Sequence, residues 1–126
     1  MSMSNDPLIL IAKYEALLKT RPKDELILFS LGKALLDVGR VDEAEACLRI
    51  ALDIKPDWMI VTMLLAKIAG QRKDVVSEKE LWAKGLQLAI AQNHEGPEEE
   101  CRAELMRIEQ HDFNRRGDSG FSAPIG

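Results

Sequence analysis

The groups best suited to chemistry in this chain stand close together late in the sequence. His94 lies near Glu95, Glu98 and Cys101, and Glu98, Glu99 and Glu100 form an acidic run. Imidazole, thiolate and carboxylate are the donors of a transition-metal site, and a histidine beside carboxylates is also the material of general acid–base catalysis. The pattern supports neither reading. A metal site needs three or four converging ligands, whereas one loop histidine beside acids is ordinarily solvated. The three glutamates follow Gly96-Pro97, a helix opening, so they occupy a first turn where negative charge complements the helix dipole. The other histidine, His111, is too distant in sequence to complete a set.

The remaining reactive groups point the same way. Cys47 and Cys101 are far apart and form no Cys-x-x-Cys pair, which suits two inert thiols in a reduced cytosolic protein. Trp58 and Trp82 suit core anchors better than stacking platforms. No glycine-rich phosphate loop, nucleophile elbow or Ser-His-Asp set is present. The expectation is a non-enzyme with no cofactor and no metal.

Composition narrows the partners. The chain has 126 residues, 46% hydrophobic and 30% charged, with a net charge of -4 and no basic stripe. Phosphate neutralisation therefore has no footprint here, and nucleic acid is not an expected partner. The longest apolar run, Trp58 to Ala66, is broken by Thr62 and followed by Lys67, far short of the roughly 20 residues that span a bilayer. The N-terminus carries no basic region leading into an apolar stretch. A cytoplasmic protein without membrane attachment is the expectation.

The elements that must position these side chains are helices. No stretch alternates with strand period, and no Asn-Gly or Asp-Gly hairpin turn appears. Asp6-Pro7 reads as an N-cap followed by proline at the first helical position. Pro22, Gly39, Pro56 and Gly70 then punctuate the chain at helix spacing, and Gly96-Pro97 opens a last helix. The spacing predicts helices near 7-20, 24-38, 41-54, 58-70, 74-92 and 97-111. Their short linkers favour antiparallel neighbours. Residues 113–126, with Gly117, Gly120, Pro124 and Gly126, are expected to form a disordered tail.

Residues 25–58 align with 59–92 at a shift of 34 without a gap. Leu31 falls on Leu65, Gly32 on Ala66, Lys33 on Lys67, Val41 on Val75 and Leu52 on Leu86. Upstream, residues 10–22 align with 44–56, setting Tyr14 on Leu48, Leu18 on Leu52 and Pro22 on Pro56. One helix pair cannot bury its apolar face alone, so such repeats stack to share a continuous core.

The better repeat reads Leu28, Leu31-Gly32 and Leu35 on its first helix, then Ala44, Leu48, Ala51 and Pro56 on its second. With the turn Gly39-Arg40-Val41-Asp42-Glu43-Ala44, this pattern resembles the tetratricopeptide repeat family. Leucine replaces all three of the family's aromatics in residues 25–58, while Trp82 and Gly85 fit in residues 59–92. Glu78 stands where the family has a small residue, which predicts weaker packing or a tilt between helices 58–70 and 74–92. Helix 97–111 shows no signature.

The resemblance implies an all-α fold, a right-handed superhelical stack of antiparallel helix pairs with a C-terminal capping helix. It implies a single domain over 7–111: a half repeat 7–22, repeats 25–58 and 59–92, and a capping helix 97–111. It also implies that the protein binds other proteins.

The first helix of each repeat carries more apolar surface than one core face needs. Beside Leu28, Leu31 and Leu35 runs a second stripe of Leu26, Phe29 and Leu36, interrupted by Lys33, and Ile60 and Met63 repeat it with Lys67. By the resemblance this stripe faces a concave groove holding Leu26, Phe29, Lys33, Leu36, Asp37, Ile60, Met63, Lys67 and Gln71. An apolar floor with two lysines one repeat apart suits an amphipathic helix or an extended apolar peptide carrying carboxylates. The stripe equally suits burial under the chain's own terminal helices or tail, or a homo-oligomer interface. The paired Lys-Asn clamp of chaperone-binding members is not evident.

Overall fold

The computed structural model describes the backbone of residues 6–120 and the side chains of residues 6–115. Among the described residues the chain forms six helices and no strand: α1 (Pro7–Thr20), α2 (Glu25–Asp37), α3 (Val41–Ile54), α4 (Met59–Gln71), α5 (Val75–Ala91) and α6 (Glu95–Gly120). Each packs mainly on its neighbours in the chain. The fold is an all-α helical repeat superhelix.

Aspartates start three of the helices by accepting hydrogen bonds from backbone N–H groups that no helical carbonyl reaches. Asp6 accepts from Leu8 N at 2.9 Å ahead of Pro7, Asp24 from Leu26 N and Ile27 N at 3.1 Å, and Asp74 from Ser77 N at 3.2 Å. Gly39 closes α2 at φ +80°, a left-handed turn that glycine enters without cost. Lys73, one repeat later, takes the corresponding place after α4 at φ 60°.

Burial follows the repeat. In the first pair, Leu31 and Leu35 pack with Ala44 and, from α1, Ile11. Gly32 lets α2 and α3 approach, since a Cβ there would lie 2.8 Å from Leu48 Cδ2. Trp82 takes the place of Leu48 in the second pair and packs with Met63 and Ala66. Each fully buried leucine, isoleucine or valine contributes about 1.5–3 kcal/mol over exposure. Helix α4 is buried around most of its circumference, from Met59 and Val61 through Ile68 and Ala69, and leaves one exposed line of Ile60, Lys67 and Gln71.

Three expectations need correction. Gly70 does not end the fourth helix; it lies inside α4, and the turn comes at Arg72–Lys73. Glu78 does not weaken the packing of α4 on α5, which is as extensive as that of α2 on α3, because its carboxylate lies over Gly70 where a side chain there would stand. The last helix does not stop near 111 but runs to Gly120, so residues 113–120 are helical rather than tail. Residues 121–126 of the expected tail lie outside the described residues. Gly117 and Gly120 read as punctuation, yet glycine only weakens a helix, by about 1 kcal/mol relative to alanine.

The last helix also has a place in the repeat that a shift of 34 conceals. Cys101, Leu105 and Ile108 turn toward α4 and α5, with the same 4,3 spacing by which Val61, Leu65 and Ile68 enter the core ahead of them. Helix α5, at 17 residues, is longer than α3, at 14, and the inward run starts at the seventh residue of α6 rather than the third of α4; together these displace the register. On that correspondence Lys33, Lys67 and Arg107 occupy like positions on α2, α4 and α6.

Candidate partner-binding surface

The groove residues named from sequence divide into an open part and a covered part. On α2, Leu26 is 65% exposed, and Lys33 and Asp37 are also exposed. Phe29 is half-buried, its ring 4.9 Å from that of Trp58 at an interplanar angle of 37°. Lys33 Nζ lies 5.7 Å from the Phe29 centroid, a cation–π contact worth about 0.5–1 kcal/mol at an exposed site. Among the described residues no carboxylate pairs with Lys33. Leu36 is half-buried and packs against both the cluster that joins α1 to the first pair and the one that joins the first pair to α4. Ile60, one repeat after Leu26, is 41% exposed.

The second repeat is covered. Met63 is 4% exposed and packs in the core with Trp82, Cys101 and Ile108. It is therefore corrected from a groove residue to a core residue, because α6 lies over it. Lys67 is exposed but paired with Glu100 of α6 at 3.2 Å. Gln71 is exposed and lines a recess shared with Gly70, Glu78, Trp82 and Arg107. The last helix thus seals one repeat's stripe and leaves the other open.

Three further residues belong to this surface: Trp58, expected as a core anchor but half-buried, Glu78, expected only to disturb packing, and Arg107, which the sequence did not single out. Trp58 flanks the open part, with Lys55 Nζ 5.2 Å from its ring centroid. Glu78, 6% exposed, accepts from Trp82 Nε1 at 3.1 Å and from Arg107 at 2.5 Å. Arg107 also donates to Glu104 at 2.7 Å, and that hydrogen bond leads in raising its pKa above the usual arginine value. The signal for this group was the forbidden glutamate itself, since a buried carboxylate demands donors nearby.

The cluster around His94 does not converge. His94 is exposed at the α5–α6 turn beside Trp58, Ile60 and Pro97. Glu98 holds Arg102 at 3.0 Å, while Cys101 is buried with its sulfur toward Gly85. Burial pushes both thiols up, with Glu43 and Glu15 adding to the effect at Cys47 and Glu100 and Glu104 at Cys101. Raised thiols are protonated at neutral pH and are poor nucleophiles. No described helix is long and apolar enough to cross a membrane.

Between the repeats, Arg72 at the end of α4 donates to both Asp42 and Glu45 of α3. The Gln92 side chain donates to Asp57 O at 3.1 Å. These exposed bonds tie one pair to the next, beside the buried packing of Leu48 on Val61 and Leu65.

Comparison with known proteins agrees with this architecture. The solution structure of protein BPP2914 from Bordetella parapertussis matches with a TM-score of 0.73 at 24% identity, covering 88% of this chain and 96% of that one. That likeness speaks for the fold. No curated protein matches. The family model described as tetratricopeptide repeat matches residues 11–68, a family whose domains generally mediate protein–protein interaction and are typically non-catalytic. That match lies on the first of the stacked pairs described above, so residues 11–68 are similar to tetratricopeptide repeats in sequence and the chain shares their helical repeat fold.

Proposed function

We propose that the protein is a non-catalytic adaptor that holds a segment of another protein against the open strip formed by Leu26, Phe29, Lys33 and Ile60. The observation that carries this reading is the contrast between equivalent lysines. Lys67 is neutralised by Glu100, whereas Lys33 has apolar neighbours and no acid among the described residues. A partner helix or extended peptide presenting a carboxylate to Lys33 and apolar side chains to Leu26 and Ile60 would repeat on the first pair what α6 does on the second. Apolar contact supplies affinity, and the charge sets register and orientation.

The test is affinity capture from the native lysate with wild type and a Leu26→Glu/Lys33→Glu variant. Both positions are exposed, so the variant keeps its core, and Phe29 is left in place because it packs on Trp58. A protein retained by wild type and reduced at least about tenfold by the variant, a loss of about 1.4 kcal/mol, supports the reading. An identical set with both proteins overturns it. Recovery of this chain alone would shift the strip to a homo-oligomer interface.

A further inference from the structure

The recess between α4, α5 and α6 has a chemistry of its own. Its volume is about 310 Å³, and the Glu78 carboxylate reaches into it beside Gly70 and Trp82. The recess opens because of an exchange between repeats. Where the first pair has Leu36 and Ala44, the second has Gly70 and Glu78 at the same positions. The apolar side chain that would occupy this space is missing, and a buried acid stands in its place.

The acid is only half used. Its Oε2 accepts from both Trp82 Nε1 and Arg107, while its Oε1 takes no donor among the described residues. Arg107 itself is 55% exposed, against 8% for the Glu78 side chain. A guanidinium therefore already reaches this carboxylate from the solvent side. The cations at the rim are committed, Lys67 to Glu100 and Arg107 to Glu104. An entering anion would meet three carboxylates facing two neutralised cations, whereas an entering cation would find, on a largely buried carboxylate, one oxygen that opens to the recess and takes no donor among the described residues.

We propose that this recess is a specificity pocket for a basic side chain, an arginine or lysine, of the bound partner, with Arg107 as its intramolecular surrogate. It rests on the adaptor reading for the source of that side chain. The pocket lies along the groove beyond Lys67, shared through Gln71. The partner so described carries a carboxylate for Lys33 toward one end and a basic residue for Glu78 toward the other.

The test needs no partner, so its failure is separable from failure of the adaptor reading. In ¹⁵N-labelled protein the Trp82 indole N–H reports directly on Glu78, and a Trp58→Phe variant identifies its signal. Nα-acetyl-arginine amide is titrated in parallel with Nα-acetyl-glutamate amide and Nα-acetyl-norleucine amide. The Trp82 signal is expected to move saturably with the arginine probe alone. Arg107→Ala, which removes the competing guanidinium, should tighten that response about tenfold, the scale of one charge-assisted hydrogen bond. Glu78→Gln keeps the shape and the indole's acceptor and should abolish it, with helicity by circular dichroism unchanged. An arginine probe that moves nothing in either wild type or Arg107→Ala overturns the proposal. So does an equal response to the glutamate probe, an unchanged response in Glu78→Gln, or no tightening in Arg107→Ala.

Discussion

The carboxylate of Glu78 sits where a side chain on Gly70 would have to be: a Cβ on that glycine would lie 2.8 Å from Oε2 and 3.0 Å from Cδ. Glu78 cannot swing aside freely, since Trp82 and Arg107 both hold it. The first repeat solves the same packing problem with Leu36 over Ala44, and the second inverts the sizes.

This inversion predicts a coupled pair. Gly70→Leu alone should cost about 2 kcal/mol through overpacking. Glu78→Ala alone should cost about 1–2 kcal/mol by leaving the buried Trp82 N–H without its acceptor. Combining them restores the first repeat's arrangement, and the double variant should recover about 1.5 kcal/mol relative to the sum. Urea denaturation of the four proteins measures the coupling, and costs that add to within about 0.5 kcal/mol would show the two sites to be independent.

The thiols should differ in reactivity. Cys101 is fully buried and Cys47 is half-buried, both with raised pKa values. With Ellman's reagent at mildly alkaline pH, the native protein should release one equivalent slowly, and Cys47→Ser should remove it. The second equivalent should appear only on denaturation, because α6 must leave α5 before the reagent can reach the sulfur. Rapid release of both equivalents from the native protein would contradict the packing of α6.

Acid should weaken the stack through two defined carboxyls. Hydrogen bonds from Ser77 hold Asp74 below its ordinary value of 3.8, and the hydrogen bond from Arg40 holds Glu43 below 4.5. A carboxyl depressed in the folded state contributes stability that is complete above its ordinary value. That stability is lost as pH falls through the lower folded value. Melting temperature should hold from neutral pH down to the ordinary carboxylate range and then decline. Asp74→Asn/Glu43→Gln should decline less steeply, since the neutral groups titrate in neither state. A parallel decline in both proteins would assign the acid sensitivity elsewhere.

The sequence made much of this fold readable because its repeat is physical before it is statistical. Leu31 over Leu65 and Gly32 over Ala66 mark one contact built twice, and the cap Asp6-Pro7 marks where the first helix begins. What escaped was relational. Glu78 looks like an error beside Ala44 until Gly70 is seen opposite Leu36, and nothing in one strip of sequence pairs those positions. The register of α6 escaped because a longer α5 and a later start of the inward run in α6 break the 34-residue period before Cys101, Leu105 and Ile108 are reached. Met63 looked like a groove residue for the same reason: the helix that covers it carries no signature of its own. Of the residues that the family resemblance assigned to a groove, Leu26, Lys33, Asp37, Ile60, Lys67 and Gln71 are exposed. Which of two equivalent lysines stays unpaired depended on Glu100, a residue one helix pair away.

Because each helix packs mainly on its neighbours in the chain, few contacts must wait for distant segments to meet. Loop closure is the slow, entropically costly part of folding, and here the loops are a few residues long. The chain should therefore fold quickly, with helix pairs forming as local units and α4 joining them. Tension on the two ends would meet no sheet to unzip and would strip pairs one after another from the ends of the stack.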